Sequence, residues 1–346
     1  MKFPDSPWSF IVPLLICAVF APTALLAQQS SSVTPYSSFA STSDTPDDRR
    51  KTVFEDGQSL GRLCEEDDDE VGRKLGCNCK LNKGNNLADC SSPTIKIGSD
   101  TLPLPKKLNV SRHIRVLDLS SNLLDSIDEQ SFNEVSGITE LNLSRNRIRY
   151  IDRLNFPRLH RLDLSYNNIT NLSATLFENS AKIVYLDLSH NALTYIDPNA
   201  FSRLEYLQVL KMAFNRLENE FNWMEQYPFI LNNLTNLDEL DLTNGSLVDL
   251  LPATLTGTTN LKKLILKNNL LSVLPSETFS MLKQLEELDL SGNYFTHLPP
   301  DGFHGLKALR ALTIDYTKGL RTIEAYVRHF FTTANMFTCN FTSFEE

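Results

Sequence analysis

One eleven-residue pattern recurs along this chain and fixes most of what the chain can fold into. Its clearest copy, Ile183–Leu193, has apolar residues at positions 1, 4, 6 and 11 and places Asn191 at position 9. In an extended segment these apolar side chains face a core, while positions 3 and 5 face solvent. Asn191 falls where the chain turns away, and its amide can pair with backbone groups that a bend leaves without partners.

Nine copies of this pattern are countable, at intervals of 24, 21, 24, 24, 30, 24, 24 and 24 residues. One copy alone cannot bury its apolar side, so stacked neighbours must share one core. Position 9 holds Asn122, Asn146, Asn167, Asn191, Asn215, Gly245, Asn269, Asn293 and Thr317. Five residues later an apolar column runs through Ile127, Ile151, Leu172, Ile196, Leu250, Leu274 and Leu298. Ten residues after position 9 lies a second column, which we interpret as structural: Phe132, Phe156, Phe177, Phe201, Leu255, Phe279 and Phe303.

The pattern L-x-x-L-x-L-x-x-N-x-L, with 24 residues in most coils and a Phe column, resembles the extracellular type of animal leucine-rich repeat. The resemblance covers about two thirds of the chain. It implies an α/β fold: a curved, horseshoe-shaped solenoid of about nine repeats over residues 109–326, with a parallel β-sheet on its concave face.

The N-terminus predicts a secretory signal peptide over residues 1–27. A basic residue precedes the apolar run Phe10–Phe20, and small residues leading to Ala27 offer a cleavage site after it. An uncleaved signal anchor is the alternative because the apolar stretch approaches 20 residues, although Pro13 and Pro22 make a poor membrane span. No later stretch is long and apolar enough to span a membrane, so we expect a secreted, extracellular protein.

Residues 28–60 are rich in Ser and Thr and predict a disordered leader. The acidic run Glu65–Glu70 predicts a solvated loop, with a site for a cation or a basic partner as the alternative. A secreted chain is glycosylated at Asn-x-Ser/Thr sequons, which predicts sugars at several of seven sites. These sequons begin at Asn109, Asn142, Asn168, Asn171, Asn233, Asn244 and Asn340.

Four cysteines precede the repeats in the arrangement C-x12-C-x-C-x10-C: Cys64, Cys77, Cys79 and Cys90. They resemble the N-terminal cysteine cap of extracellular leucine-rich repeat proteins, here over residues 61–108, which covers the exposed edge of the first coil. The resemblance implies disulfides Cys64–Cys79 and Cys77–Cys90. A zinc site is the competing interpretation, and a secreted context and the C-x-C spacing argue against it.

Two irregular segments leave alternatives open. The 30-residue interval contains the aromatic insert Glu220–Phe229, which either packs on its own coil or protrudes as a ligand-binding loop. At residues 327–346, the run Asn335–Phe341 resembles the start of a C-terminal cap but lacks its remaining cysteines, so Cys339 has no obvious partner. Three explanations compete: a truncated form of a longer receptor-like protein, a disulfide-linked partner through Cys339, or a diverged cap.

No pattern in the sequence predicts catalysis, a cofactor or a metal. The six histidines lack metal-ligand spacing, and the repeated Asp-Leu-Ser is a strand habit without an adjacent base. The net charge of −9 argues against a nucleic-acid partner, which requires a basic face. We therefore expect a binding protein and not an enzyme.

Two residues break the Asp habit of position 5, and together with exposed residues at positions 3 and 8 they predict a protein-binding patch on repeats three to seven, with an ordinary solvated face as the alternative. Aromatic and basic anchors surrounded by polar residues are typical of protein interfaces. The predicted patch consists of Arg161, Tyr166, Tyr185, His190, Lys211, Phe214, Lys263 and Ile265, with Tyr166, His190 and Phe214 expected to stack. A sugar on Asn142 would screen the N-terminal coils from this patch.

The partner that we expect is a protein ligand or receptor, bound by a secreted or cell-surface recognition module in signalling, adhesion or immune recognition. The alternative is an extracellular-matrix structural protein similar to small leucine-rich proteoglycans. Against it, only one coil has 21 residues and the leader lacks a Ser-Gly for a glycosaminoglycan. An intracellular repeat scaffold comes third, and cleavage at Ala27 would exclude it.

Overall fold

The computed structural model describes residues 80–82, 87–89, 91, 114–127, 132, 137–217, 230–314 and 322–323. All of them lie in one compact unit, Leu60–Glu346. Several sequence predictions fall outside these residues and stay predictions. They are the signal peptide, the leader, the acidic run, the four cap cysteines and their disulfides, the aromatic insert, Thr317, the C-terminal cap with Cys339, and the sequons at Asn109 and Asn340.

A single sheet of eleven strands organises the described residues, and neighbouring strands follow one another in chain order. Its strands are β1 (Lys80–Asn82), β2 (Leu87–Asp89), β3 (Val116–Asp118), β5 (Glu140–Asn142), β7 (Arg161–Asp163), β9 (Tyr185–Asp187), β11 (Val209–Lys211), β12 (Glu239–Asp241), β13 (Lys263–Ile265), β14 (Glu287–Asp289) and β16 (Ala311–Thr313). Shorter strands pair away from it: β4 (Ser126–Ile127) with β6 (Tyr150–Ile151), β8 (Asn171–Leu172) with β10 (Tyr195–Ile196), and β15 (His297–Leu298) with β17 (Thr322–Ile323).

Nine strands of the sheet, β3 to β16, each open one repeat and are parallel in register. The position-4 leucines pair directly from Leu117↔Leu141 at one end to Leu288↔Leu312 at the other. The 21-residue interval between β5 and β7 and the 30-residue interval before β12 keep this register. The predicted leucine-rich repeat solenoid is therefore confirmed, and the irregular intervals are absorbed outside the strands.

An antiparallel hairpin extends the sheet at its N-terminal edge. Strand β2 pairs in parallel with β3, and β1 pairs antiparallel with β2 on the outside. The edge of the first repeat is thus covered by backbone hydrogen bonds, as a solenoid end requires. This hairpin lies in the segment that was predicted as a cap.

Both predicted apolar columns are buried. The first column runs from Ile127 to Leu298, and none of its side chains is more than 6% exposed. In the second column the ring centroids of Phe132 and Phe156 are 5.0 Å apart, and those of Phe177 and Phe201 are 6.4 Å apart. These contacts confirm that the Phe column is structural.

A spine of asparagine side chains joins the coils at position 9. Nδ2 of Asn215 donates to the carbonyl of Met212 at 2.9 Å and to that of Leu188, one coil back, at 3.0 Å. Its Oδ1 accepts from the Leu193 N–H at 3.1 Å. Corresponding bonds occur at Asn146, Asn167, Asn191, Asn269 and Asn293.

Where Gly245 replaces the asparagine, the Leu217 N–H donates to the Gly245 carbonyl instead, at 3.2 Å. The bend is therefore kept by a backbone bond where the side chain is missing. At the other end of the chain, Leu298 pairs with Ile323 and not with Thr322. The last coil is therefore one residue out of step with the five-residue offset of the earlier coils.

The return segments of the coils contain turns and two 3₁₀ helices, Pro252–Leu255 and Pro300–Phe303. The residues that the structure describes include no α-helix, so the α/β label holds for the architecture and not for the helix content. Because an α-helix rises only about 1.5 Å per residue, a helix would need more residues than a turn to cross the same width of the coil. No helix in the described ranges is long and apolar enough to cross a membrane.

Candidate functional site

Position 5 of the repeats carries a structural cap. In the fourth repeat, Asp187 Oδ1 accepts from the backbone N–H of Ser189 at 2.9 Å. The same bond recurs at Asp118, Asn142, Asp163, Asp241 and Asp289, with distances of 2.8 to 3.0 Å. The carboxylate thus satisfies a backbone donor where the strand ends. This bond explains why Asp-Leu-Ser recurs. Lys211 and Ile265 occupy the same position but have no side-chain carboxylate or amide with which to accept it.

Position 8, just before the spine asparagine, adopts a left-handed backbone in eight successive repeats. The φ angles lie between 52° and 70°. This conformation suits Gly and Asn and costs other L-residues about 1–2 kcal/mol. The eight residues are Ser121, Arg145, Tyr166, His190, Phe214, Asn244, Asn268 and Gly292.

Three of these left-handed residues, Tyr166, His190 and Phe214, form what we call the aromatic ladder. The rings of Tyr166 and His190 stack with centroids 4.1 Å apart, and those of His190 and Phe214 with centroids 4.3 Å apart, both at 9° between planes. Tyr166 is 44% exposed and Phe214 43% exposed. The predicted stacking is confirmed.

A cation covers one end of the ladder. The guanidinium carbon of Arg145 lies 4.7 Å from the Tyr166 ring centroid, within the range of cation–π attraction. Backbone bonds hold the spacing, because the N–H of each ladder residue donates to the position-7 carbonyl of the next coil. From Tyr166 the acceptor is Ser189, at 2.9 Å, and from His190 it is Ala213, at 2.7 Å.

A second group, which we call the strand-face cluster, consists of Arg161, Tyr185 and Lys211 on three adjacent strands. The guanidinium carbon of Arg161 lies 3.6 Å from the Tyr185 ring centroid, and Lys211 Nζ lies 5.7 Å from it. The Tyr185 hydroxyl donates to Asp187 Oδ2 at 3.2 Å. Two cations therefore flank one tyrosine that is half-buried in the sheet face.

Burial and the charge of Asp187 raise the pKa of two groups, one in this cluster and one beside it. Burial, and then the negative charge of Asp187, raise the pKa of the Tyr185 hydroxyl, so it remains a donor at neutral pH. Burial also raises the pKa of the Asp163 carboxyl, and repulsion from Asp187 adds to it. The two aspartates face each other across neighbouring strands, and Arg161 compensates them only partly.

The remaining two predicted site residues do not join these groups. Lys263 lies two strands beyond Lys211 and pairs with Glu287, with Nζ and Oε2 3.5 Å apart. Ile265 stands between Asp241 and Asp289 in the sheet register. The structure thus separates both residues from the ladder and the strand-face cluster.

The coils around Lys263 carry alternating charges that pair among themselves. Lys262 contacts Asp238 at 2.9 Å, and Arg310 contacts Glu286 at 3.1 Å. Exposed pairs of this kind contribute little to stability, but they occupy the cations. The basic and aromatic residues of the predicted patch that form no ion pair among the described residues therefore lie on repeats three to five.

Sequence reasoning missed Arg145 as a member of the site. The signal was present at position 8, where later repeats carry Asn244, Asn268 and Gly292, residue types that favour a left-handed backbone. Arg145 occupies the same position one coil before Tyr166. Within the described part of the chain, no group of three or more His, Cys, Asp or Glu side chains is arranged to hold a metal ion.

Comparisons with known proteins identify the repeats. The family model for the leucine-rich repeat matches residues 112–156, 157–217 and 259–318. No curated protein matches the chain. Among solved structures, TLR13 in a TLR13–ssRNA13 complex matches with 22% sequence identity and a TM-score of 0.46. The match covers 60% of this chain and 34% of that one, so this chain spans about a third of its length.

Proposed function

We propose that this leucine-rich repeat solenoid is a secreted or cell-surface recognition module that binds a protein ligand. The binding surface is the solvent face of the sheet at repeats three to five, the concave side in a solenoid of this kind. The aromatic ladder and the strand-face cluster supply its anchors. The observation that carries the proposal is the ladder itself, three stacked rings in a left-handed backbone with both end residues exposed.

Stability alone does not account for the ladder. Asn or Gly would relieve the backbone cost at position 8, as the later repeats show with Asn268 and Gly292. Stacking offsets part of this cost, about 0.5–1.5 kcal/mol per aromatic pair. Strained residues of this type gather at functional sites, and rigid aromatic and Arg side chains are the usual anchors of protein interfaces.

The test is capture of partners on intact tissue by a crosslinkable form of the full chain. The site variant carries Tyr166→Asn and Phe214→Asn, which keep a residue type suited to the left-handed backbone. The control is Tyr206→Ser, an aromatic that is 59% exposed and lies outside the ladder. We expect the site variant to lose its partner while the control retains it, with both folded by circular dichroism.

Equal capture by the site variant would overturn the proposal. Collagen as the captured protein would favour the matrix alternative. Retention of residues 1–27 in a cytosolic product would contradict the proposed secretion, and with it the class of partner.

A further inference from the structure

A second exposed surface begins where the ladder ends. Arg145, Arg147 and Arg149 are exposed and alternate with Asn146 and Ile148, which are buried. We call these three arginines the arginine row. It lies in the second repeat, between β5 and β6, and its first member, Arg145, contacts the Tyr166 ring at the end of the ladder.

The backbone of the arginine row is held by bonds to the neighbouring coils. The Arg147 N–H donates to the Leu124 carbonyl at 2.8 Å, and the Arg149 N–H donates to the Asp125 carbonyl at 2.9 Å. Arg145 is fixed on the other side by its bond to Ser165, at 2.9 Å. Alternate residues of an extended segment lie on one side about 6.6 Å apart. The alternating exposure of Arg147, Ile148 and Arg149 fits this arrangement of the backbone.

The row is a basic island in an acidic chain. The whole sequence carries a net charge of −9, yet residues 145–161 contain six arginines and one acid, Asp152. Among the described residues, none of the three row arginines makes an ion pair, whereas Arg153 pairs with Glu178 at 3.4 Å. The nearby Asp125 carboxylate instead accepts from the Ser126 hydroxyl at 3.2 Å.

We propose that the arginine row binds an extended acidic segment of a partner protein, with carboxylates at alternate residues. An extended peptide repeats its same-side groups at the spacing of Arg147 and Arg149, and the guanidinium fork matches a carboxylate. A long polyanion is disfavoured, because it would meet Asp125 and Asp152 beside the row. This inference rests on the proposed function, since row and ladder form one continuous surface through Arg145.

A labelled peptide of alternating Glu and Ala tests the row directly, by fluorescence anisotropy with the full chain. We expect Arg147→Gln with Arg149→Gln to weaken binding about tenfold or more, because charge-assisted pairs are lost. The control is Arg203→Gln with Arg216→Gln, which removes the same charge from exposed arginines elsewhere. If the control weakened peptide binding equally, the loss would be due to net charge and not to the row, and the proposal would be overturned.

Further arms separate the sources of the acidic ligand. Peptide affinity should stay unchanged when Glu65–Glu70 are replaced by their amides, and a several-fold gain would show that the chain's own acidic run occupies the row. A peptide with the same number of contiguous Glu residues should bind more weakly. Single-stranded RNA of equal charge that binds as tightly as the alternating peptide would overturn the assignment to a protein.

The wild-type chain distinguishes this proposal from the proposed function. A wild-type chain that binds the alternating peptide but captures no partner would refute only the proposed function. A wild-type chain that captures a partner but does not bind the peptide would refute only the row.

Discussion

The guanidinium of Arg161 lies over the ring of Tyr185 on the neighbouring strand, with 3.6 Å between its carbon and the ring centroid. Arg161 Nε is buried and has no hydrogen-bond partner among the described residues. The Tyr185 hydroxyl in turn donates to Asp187. Position 3 of two repeats is thereby linked to position 5, and the orientation of Arg161 depends on a residue 24 positions away.

A double-mutant cycle should reveal this contact. We expect Arg161→Met and Tyr185→Leu to show a coupling free energy of about 1 kcal/mol in urea unfolding, because each change alone removes the same cation–π contact. The control pair is Arg203→Met with Tyr206→Leu, two exposed residues with no such contact in the described structure. Additive effects at Arg161 and Tyr185 would show that the stacking has no energetic weight.

Asp163 should make stability depend on pH. Burial, and then Asp187, raise the pKa of its carboxyl, so the folded protein holds this proton more tightly than the unfolded chain. Its contribution is therefore favourable at low pH and is lost as the pH rises through the raised pKa. We expect Asp163→Asn to unfold at a higher urea concentration than the wild type at pH 7.5, with the difference vanishing at about pH 3, below the ordinary Asp pKa.

Asn keeps the cap at this position, because Asn142 already accepts from Ser144 in the same way, at 3.0 Å. The matched control is Asp289→Asn, which changes the same cap where the neighbours across the sheet are Ile265 and Thr313. A gain at pH 7.5 that is as large for Asp289→Asn would show that the Asp163–Asp187 repulsion is not its source.

The asparagine spine should be costly to interrupt. Asn215 is 3% exposed, and its side chain serves the backbone of two coils. We expect Asn215→Ala to lower the free energy of unfolding by about 2–4 kcal/mol, because buried carbonyls and an N–H lose their partners. Asn179→Ala, at an exposed position, should change it by less than about 0.5 kcal/mol. Chemical denaturation measures both, and a loss below 1 kcal/mol at Asn215 would contradict the structure's account of the spine.

Sequon occupancy should follow the folded structure if the protein is secreted. Asn142 is only 7% exposed, and its Nδ2, the atom that a sugar would modify, donates to Asp118 Oδ2 at 3.2 Å. We expect the folded protein to carry no sugar there. Sugars belong instead on the exposed sequons Asn168, Asn171, Asn233 and Asn244. Glycopeptide mass spectrometry of protein secreted from animal cells decides this, and full occupancy of Asn142 would mean that its coil folds differently.

The sequence alone predicted the solenoid, because each coil repeats the same pattern of apolar and asparagine positions. Asn191 and Phe201 recur at fixed offsets, and a residue that returns every coil must meet its equivalent in the next one. The stack of Tyr166, His190 and Phe214 followed from this rule. The offsets broke where the chain changed length and in the last coil, and the register of the sheet survived both changes of length.

The tertiary structure alone decided which exposed side chains are free to bind. Lys263 and Lys211 occupy the two outward-facing positions of their strands, 3 and 5, yet Lys263 pairs with Glu287 while Lys211 approaches Tyr185. These contacts join side chains of adjacent coils. Whether two such side chains meet depends on their length and conformation, which the spacing of the repeats does not predict. Likewise, Arg145 contacts the end of the ladder because the backbone at position 8 is left-handed. Arginine has no preference for this conformation, so the packing of the coil imposes it.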